Sequence, residues 1–211
     1  MTRTRWWALS LAIPMILVAL RMGWTHSLTY AFYYWNLFLA TIPLMAVRRL
    51  DPEASLWSYR NLVGLGMWFF FLPNAPYLIT DMVHFQEGPK APVYLDEAIV
   101  YACAFNGVLL GYASVRRVED WMLKRYRERP VRFAILVVFL ACGFGIYLGR
   151  YLRLNSWYIV TQPLRVGRVV GVRVLCPLEY KQTWAVTLLF GALLWLGYLA
   201  FRSQVPRRNT A

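Results

Sequence analysis

Charged residues are scarce in this 211-residue chain, and acidic residues especially so. Only 16% of the residues are charged, with 10 Asp and Glu against 23 Lys and Arg, whereas an average soluble domain has about 25% charged residues. Hydrophobic residues make up 59% of the chain, and the mean hydropathy is +0.42. So little charge cannot cover so much apolar surface in water. The composition therefore excludes a soluble globular or disordered protein and favours an integral membrane protein.

Cysteine and histidine are rare as well. The composition also argues against a disulfide scaffold, and the three cysteines show no C-x-x-C spacing, which indicates ordinary apolar thiols and no redox or zinc site. With only two histidines, we expect no metal site, and the sequence indicates no particular cofactor. The net charge of +13 would suggest nucleic acid in a soluble chain, but no nucleic-acid-binding motif is present. The expected partner is the lipid bilayer, and the oligomeric state is left open.

Six stretches are apolar enough to cross the membrane, which takes about 20 helical residues for about 30 Å of hydrocarbon. The predicted spans are 6–22, 28–47, 62–80, 98–115, 133–149 and 183–201. The first resembles a signal peptide, but no small-residue cleavage site follows it, so we expect it to stay as a span. The sequence thus predicts an all-α fold, a polytopic membrane helix bundle with residues 1–211 as a single domain.

Basic residues are unevenly distributed among the segments that join these spans. With the amino terminus inside, 15 of the 23 Lys and Arg lie in inner segments and 8 in outer segments. Because cationic loops are retained in the cytoplasm, both termini are predicted to be cytoplasmic. Six of the outer basic residues depart from this rule, because they lie together in the connection between the last two spans, on the predicted outer side. They are Arg150, Arg153, Arg165, Arg168, Arg173 and Lys181.

Two prolines interrupt the third predicted span. Pro73 and Pro76 lack backbone N–H donors, and they disfavour helical geometry at the residues before them, Leu72 and Ala75. A helix break at membrane depth must pack into protein or line a polar cavity. We expect either a plain proline kink or a broken helix at a binding site, with Asn74 bonding the freed carbonyls.

Asp81 and His84 follow this break and share one face if the helix resumes. A carboxylate beside an imidazole can orient it, raise its pKa or ligate a metal together with it. Two ligands alone do not make a metal site, so we predict Asp81 and His84 as catalytic candidates. The structural alternative is that both cap the membrane end of the helix in the headgroup region.

The fifth predicted span ends in polar residues. Arg150 and Arg153 suit bidentate binding of a phosphate or carboxylate, although two arginines that snorkel to the interface would look the same. The predicted topology brings the outer halves of the second, third and fifth spans to similar depth, so we expect one site at the extracytoplasmic face. Its predicted substrate-binding residues are Arg150, Arg153, Asn74, Asn155 and Asn36.

Acidic residues are expected opposite these arginines, and Asp81, Asp96 and Glu97 are the candidates. The next three basic residues fall within about 140° of arc on a helical wheel, and they are Arg165, Arg168 and Arg173. They suit the polar edge of a segment along the outer headgroups. The sequence leaves open whether residues 150–182 form a loop, an interfacial helix or a re-entrant segment.

Three blocks of sequence resemble a known family. They are YWNLFLATIP at 34–43, LPNAPYLITD at 72–81 with His84 after it, and GFGIYLGR at 143–150 with NSW at 155–157. In this order they are similar to blocks of a bacterial membrane family, domain of unknown function 1361, over about residues 30–200. The resemblance implies a multi-pass protein of the bacterial inner membrane and brings no established activity. Tyr158 stands where the family commonly has an aspartate.

Two classes of function fit these features. The first is an enzyme or binding protein for an anionic lipid-linked or envelope substrate, in which the arginines hold the head group and His84, oriented by Asp81, transfers a proton. No nucleophile motif or phosphate loop supports a particular reaction. The second is a non-catalytic transporter component or membrane scaffold, in which Asp81 pairs with Arg150 or Arg153 as a structural polar lock.

Overall fold

The computed structural model describes residues 3–85, 88–154 and 158–204, with the side chains of residues 3, 4, 84, 159 and 160 excepted. These residues form α-helices and one 3-10 helix, with no strand among them. The α-helices are α1 (Arg3–Thr25), α2 (Phe32–Val47), α3 (Tyr59–Phe71), α4 (Asn74–Tyr77), α5 (Val93–Leu123), α6 (Glu128–Arg150), α7 (Tyr158–Thr161), α8 (Pro163–Leu175) and α9 (Lys181–Gln204). The 3-10 helix Leu78–His84 lies between α4 and α5. The predicted all-α fold is confirmed.

Five helical stretches among the described residues are long and apolar enough to cross a membrane. They are Arg5–Thr25, Tyr59–Val83, Val93–Leu123, Glu128–Arg150 and Lys181–Gln204. The remaining predicted span, 28–47, contains the shorter apolar helix α2 of 16 residues, which is about 24 Å long at 1.5 Å per residue. The chain is therefore a multi-pass helical membrane protein.

Apolar side chains cover the outside of the bundle as well as its core. On α9, four leucines are more than half exposed, and they are Leu188, Leu189, Leu193 and Leu196. Exposed apolar surface costs about 25 cal/mol per Å² in water, but lipid tails solvate it without that cost. This surface is what a helix in contact with lipid requires.

Helix α5 lies at the centre of the bundle, packed against α1, α2, α4, α6, α9 and the 3-10 helix. In its most apolar window 56% of the residues are buried, against 17% in α1. Ser10 of α1 donates to Asn106 Oδ1 of α5 (2.5 Å), and Trp68 Nε1 of α3 donates to Ser114 Oγ (3.1 Å). Such bonds fix helix pairs, because hydrocarbon offers a polar group no other partner.

One end of the bundle, where α1 begins and α9 ends, is here called the terminal end. A buried carboxylate ties the helices together there. Glu119 of α5 is 1% exposed and contacts Arg116 (3.2 Å), Arg202 of α9 (3.0 Å) and the Tyr198 hydroxyl (2.6 Å). Arg202 also pairs with Glu128 at the start of α6 (3.2 Å). The network joins three helices where the charge count predicts the cytoplasmic side.

Candidate functional site

The two prolines tighten the third span rather than opening it. Leu72 keeps helical dihedral angles (φ −54°, ψ −40°) and Ala75 lies inside α4, so the expected loss of helical geometry at these residues is wrong. The Ala75 N–H donates to the Leu72 carbonyl (3.1 Å), and the chain then continues as a 3-10 helix from Leu78. Bonds to the third preceding residue compensate for the missing proline donors.

Asn74 completes this arrangement. In a regular α-helix the Phe71 carbonyl would accept the Ala75 N–H, but that donor has turned to Leu72. The Asn74 Nδ2 donates to the Phe71 carbonyl instead (3.0 Å). The side chain therefore bonds a freed carbonyl, as the sequence suggested.

Glycines on neighbouring helices allow this proline segment to pack closely. A Cβ at Gly145 would lie 2.7 Å from the Pro73 side chain, and one at Gly149 would lie 2.9 Å from the Tyr77 ring. On α5, a Cβ at Gly107 would collide with the Ala75 carbonyl oxygen. Small residues let helix backbones approach in membranes. Here they bring the end of the third span against α5 and α6.

This packing assembles a buried polar cluster around Asp81. Arg150 Nη2 lies 2.5 Å from Asp81 Oδ1, and Asn36 Nδ2 donates to Asp81 Oδ2 (3.0 Å). Thr80 Oγ1 accepts from Arg150 Nε (3.1 Å) and Nη2 (3.0 Å), and the guanidinium lies 4.7 Å from the Tyr77 ring centroid. The second span, the 3-10 helix and the end of α6 meet at this point.

Charge in the cluster is balanced within the pair. The Asp81 side chain is 2% exposed and that of Arg150 is 16% exposed, so the carboxylate has lost nearly all its water. Buried charges persist only when they are paired and hydrogen-bonded. Asp81 meets that condition through Arg150 and Asn36, which engage both of its oxygens.

A cavity of about 720 Å³ lies beside the cluster, walled by α2, the third span, α6, α8 and α9. Most of its walls are apolar, and examples are Trp35, Leu39, Phe70, Leu148 and Trp184. Asn36, Asn74 and Asp81 line the same cavity. The space therefore joins an apolar chamber to amide and carboxylate groups.

The segment that the sequence left open contains an amphipathic helix, α8. Its Pro163 stands in the first turn, where a missing N–H breaks no helical bond. Val166, Val170 and Val174 line the cavity, and at four-residue spacing they form one stripe. The helix also has three arginines, Arg165, Arg168 and Arg173. On a helical wheel the centre of their arc lies about 130° from the centre of the valine stripe. Trp184 Nε1 of α9 donates to the Arg173 carbonyl (3.1 Å) and holds the helix end.

The predicted site residues divide into three groups. Asn36, Asp81 and Arg150 meet directly, and Asn74 lines the same cavity. Arg153 is exposed and has a left-handed backbone (φ 52°). The His84 side chain and residue Asn155 lie outside the part of the chain that the structure describes. The described residues contain no group of three or more His, Cys, Asp or Glu that could hold a metal ion.

Sequence reasoning missed two members of the cluster, Thr80 and Tyr77. Both lie in the block LPNAPYLITD at 72–81, and that position was the available signal. The contact of Tyr77 with Arg150 also depends on Gly149, which leaves room for the ring.

Asp96 does not face Arg150 or Arg153, which corrects one expectation. Its carboxylate pairs with Arg21 of α1 at 2.6 Å (Nε–Oδ1) and 3.3 Å (Nη2–Oδ2). Arg21 and Asp96 are 0% and 1% exposed, and the guanidinium stacks 3.5 Å from the Tyr30 ring centroid. The reason is helix rotation, since Asp96 lies on the face of α5 that packs against α1.

Fold and site together define a polytopic helical membrane protein with a buried polar cluster beside an apolar cavity. The model of the family "Protein of unknown function (DUF1361)" matches residues 35–196. The chain belongs to this family, as its motif blocks indicated. No curated protein and no solved structure matches the chain.

Proposed function

We propose that the protein binds an anionic lipid or lipid-linked envelope substrate at the extracytoplasmic face of the bacterial inner membrane. The observation that supports this most is the cavity of about 720 Å³, in which apolar walls adjoin Asn36, Asn74 and Asp81. Ligand sites of about 300–1,000 Å³ with apolar walls and a few convergent polar groups are typical. Such a space suits an apolar chain whose polar end stops at the cluster.

The preference for an anion rests on the charges around the cavity. Arg150 is balanced by Asp81, but Arg153 is exposed and adds positive charge near the end of α6. Helix α8 contributes three arginines and no acid to the same side of the protein. An anionic head group is attracted to such a surface, and guanidinium groups bind phosphate or carboxylate in a bidentate manner.

The assignment to the outer leaflet follows from the charge count. The cluster lies at the opposite end of α6 from Glu128, which belongs to the terminal end. Both termini are predicted to be cytoplasmic because 15 of the 23 basic residues then lie inside. The cavity would then be reached from the extracytoplasmic half of the bilayer.

Photocrosslinking tests the proposal in intact membranes. Benzoylphenylalanine replaces Val170, which lines the cavity, and in a matched variant it replaces Arg168, which is exposed on the same helix. We expect position 170 to capture an anionic lipid or lipid-linked species, identified by mass spectrometry, and position 168 to give only bulk phospholipid adducts. The same adducts at both positions would contradict a selective cavity.

A variant that fills the cavity provides a second readout. Ala141→Phe adds a ring to a wall residue on α6, and Leu193→Phe places the same bulk on the lipid-facing side of α9. Only Ala141→Phe should reduce the lipid that co-purifies with the protein, because only this ring occupies the ligand space. Equal retention by both variants and the wild type would count against the proposal.

The structural lock is the second candidate, and the burial of Asp81 favours it. Both carboxylate oxygens are bonded, which suits a positioning role better than proton transfer by Asp81 itself.

If the protein is an enzyme, His84 is therefore the candidate acid or base. His84→Ala should abolish an enzymatic phenotype with unchanged membrane abundance, whereas a fall in abundance from Asp81→Asn without any change in bound lipid would support the lock alone.

A further inference from the structure

A second apolar groove, of about 430 Å³, lies toward the terminal end of the bundle and is formed by α3, α5 and α6. Trp68, Trp121, Tyr126 and Ile135 are among its walls. Along α6 it extends from Pro130 to Val138, which is about 12 Å at 1.5 Å per residue. The hydrocarbon of one leaflet is about 15 Å deep, half of about 30 Å. The groove therefore has the length of an acyl chain segment within one leaflet.

Basic residues surround the end of this groove nearest the membrane surface. Tyr126 and Pro130, which line the groove, stand in a short segment with three exposed basic side chains. These are Lys124, Arg127 and Arg129. Apolar wall and positive charge thus lie next to each other along the chain, as a phospholipid needs for its tail and its phosphate.

The charge of this rim is not neutralised locally. Within the described ranges, no ion pair or side-chain hydrogen bond involves Arg127 or Arg129. The acid between them, Glu128, instead pairs with Arg132 (2.6 Å) and Arg202 (3.2 Å). A loop that served orientation alone would need positive charge but no adjoining groove.

We infer that the groove and its basic rim form a binding site for an anionic phospholipid of the leaflet at the terminal end. An acyl chain packs along α6 from Pro130 to Val138, and the phosphate lies at Arg127 and Arg129. This site is separate from the cavity at Asp81, and it is predicted to face the cytoplasmic leaflet. It binds a lipid of the surrounding membrane and does not depend on the proposed function.

Native mass spectrometry of the full-length protein tests the inference. The detergent-solubilised protein is titrated with phosphatidylglycerol and, separately, with phosphatidylcholine of identical acyl chains. We expect the wild type to prefer phosphatidylglycerol, and Arg127→Gln/Arg129→Gln to weaken its binding about 25-fold at low ionic strength, which is about five-fold for each arginine. Phosphatidylcholine binding should be unchanged in this variant.

Two further variants complete the test. Arg48→Gln/Arg49→Gln removes the same charge from the end of α2, where both side chains are exposed and neither lines the groove, and it should keep the phosphatidylglycerol preference. Ala134→Trp, which fills the groove on α6, should weaken binding of both lipids. Undiminished preference in Arg127→Gln/Arg129→Gln, or an equal loss in the α2 variant, would overturn the inference without bearing on the cavity at Asp81. Size-exclusion profiles matching the wild type establish that each variant is folded.

Discussion

Two arginine–aspartate pairs of the same chemistry differ in what surrounds them. Arg21–Asp96 and Arg150–Asp81 each join residues far apart in the chain, and each has its Asp at most 2% exposed. Arg21 is 0% exposed, whereas the side chain of Arg150 retains 16% exposure. Asp81 lines the cavity of about 720 Å³, and Asp96 is not among the residues of that cavity.

The comparison shows that a buried ion pair by itself does not identify a functional site. Arg21 and Asp96 cross-link α1 to α5 and are sealed by the Tyr30 ring. Arg150 and Asp81 do the same for α6 and the 3-10 helix, but they adjoin a space that can hold a ligand. Accessibility, and not pairing, distinguishes the candidate site from a structural cross-link.

Breaking the sealed pair should have the largest effect. Asp96→Asn leaves the Arg21 charge buried with a neutral partner, and we expect a loss of about 3–5 kcal/mol in the free energy of unfolding. Unfolding by SDS in mixed micelles measures it. The double variant Arg21→Met/Asp96→Leu should recover much of the loss, because no unpaired charge remains; a double variant as unstable as Asp96→Asn would show that the charge is not the cause.

A side chain at Gly107 should destabilise the candidate site next most. Gly107→Val would collide with the Ala75 backbone carbonyl, so we expect a cost of about 3 kcal/mol, at the upper end of overpacking effects. Co-purified lipid should fall as well, because the proline segment shifts. Gly66 on α3 has open space around it, and Gly66→Ala should be neutral or stabilising by about 0.5–1 kcal/mol. Similar losses in both variants would disprove the packing argument.

Breaking the accessible pair should cost less stability than breaking the sealed one. Asp81→Asn keeps the shape and leaves Arg150 partly hydrated, so we expect a loss of about 1–2 kcal/mol in the same SDS unfolding assay. Lipid capture at position 170 should fall, whereas Asp96→Asn, measured under conditions where it is folded, should retain it. If Asp81→Asn were the more destabilising variant and lipid capture were unchanged, the site would be a lock and nothing more.

The smallest expected effect concerns Asp51, an acid outside the membrane spans. The Glu53 N–H (2.9 Å) and then the Ala54 N–H (3.3 Å) donate to its Oδ1, and these bonds hold its pKa below the ordinary value. The ionised carboxylate therefore stabilises the turn at pH values above the unfolded-state pKa of about 3.9. This stabilisation is lost as the pH falls through the lower pKa of the folded state.

Hydrogen exchange of the Glu53 and Ala54 amides, corrected for intrinsic rates, measures this effect. Protection in the wild type should fall as the pH drops below the ordinary aspartate pKa of about 3.9. Asp51→Asn keeps an oxygen that accepts both bonds but does not titrate in this range, so its protection should be independent of pH. A parallel loss in both proteins would assign the acid sensitivity to another group.

Most of the fold could be predicted, because span length and composition are local properties. Five of the six predicted spans are long apolar helices, and 28–47 contains the shorter α2. The position of the proline segment was predicted correctly, but its geometry was predicted wrongly. Leu72 stays helical, although the proline that follows it disfavours helical geometry on steric grounds. Packing of Pro73 and Ala75 against glycines of α6 and α5 accounts for a segment that stays close to helical.

The site could be predicted only in part. Asn36, Asp81 and Arg150 were placed at similar depth by topology, and they meet. Depth does not fix rotation about a helix axis, so Asp96 stood among the candidate partners of Arg150 and Arg153, whereas its partner is Arg21. The three valines of α8 that line the cavity were likewise beyond sequence reasoning, because the path of that connection depends on tertiary contacts such as Trp184 with Arg173.

The sequence alone determined that this is a multi-pass helical membrane protein of a recognisable family. It could do so because a shortage of charge, the length of apolar runs and three ordered motif blocks are all properties of the chain itself. Only the tertiary structure decided which arginine meets which aspartate and which pair borders a cavity. Partners 69 and 75 residues apart are chosen by helix rotation and by close approach at glycines, and neither is encoded in local pattern.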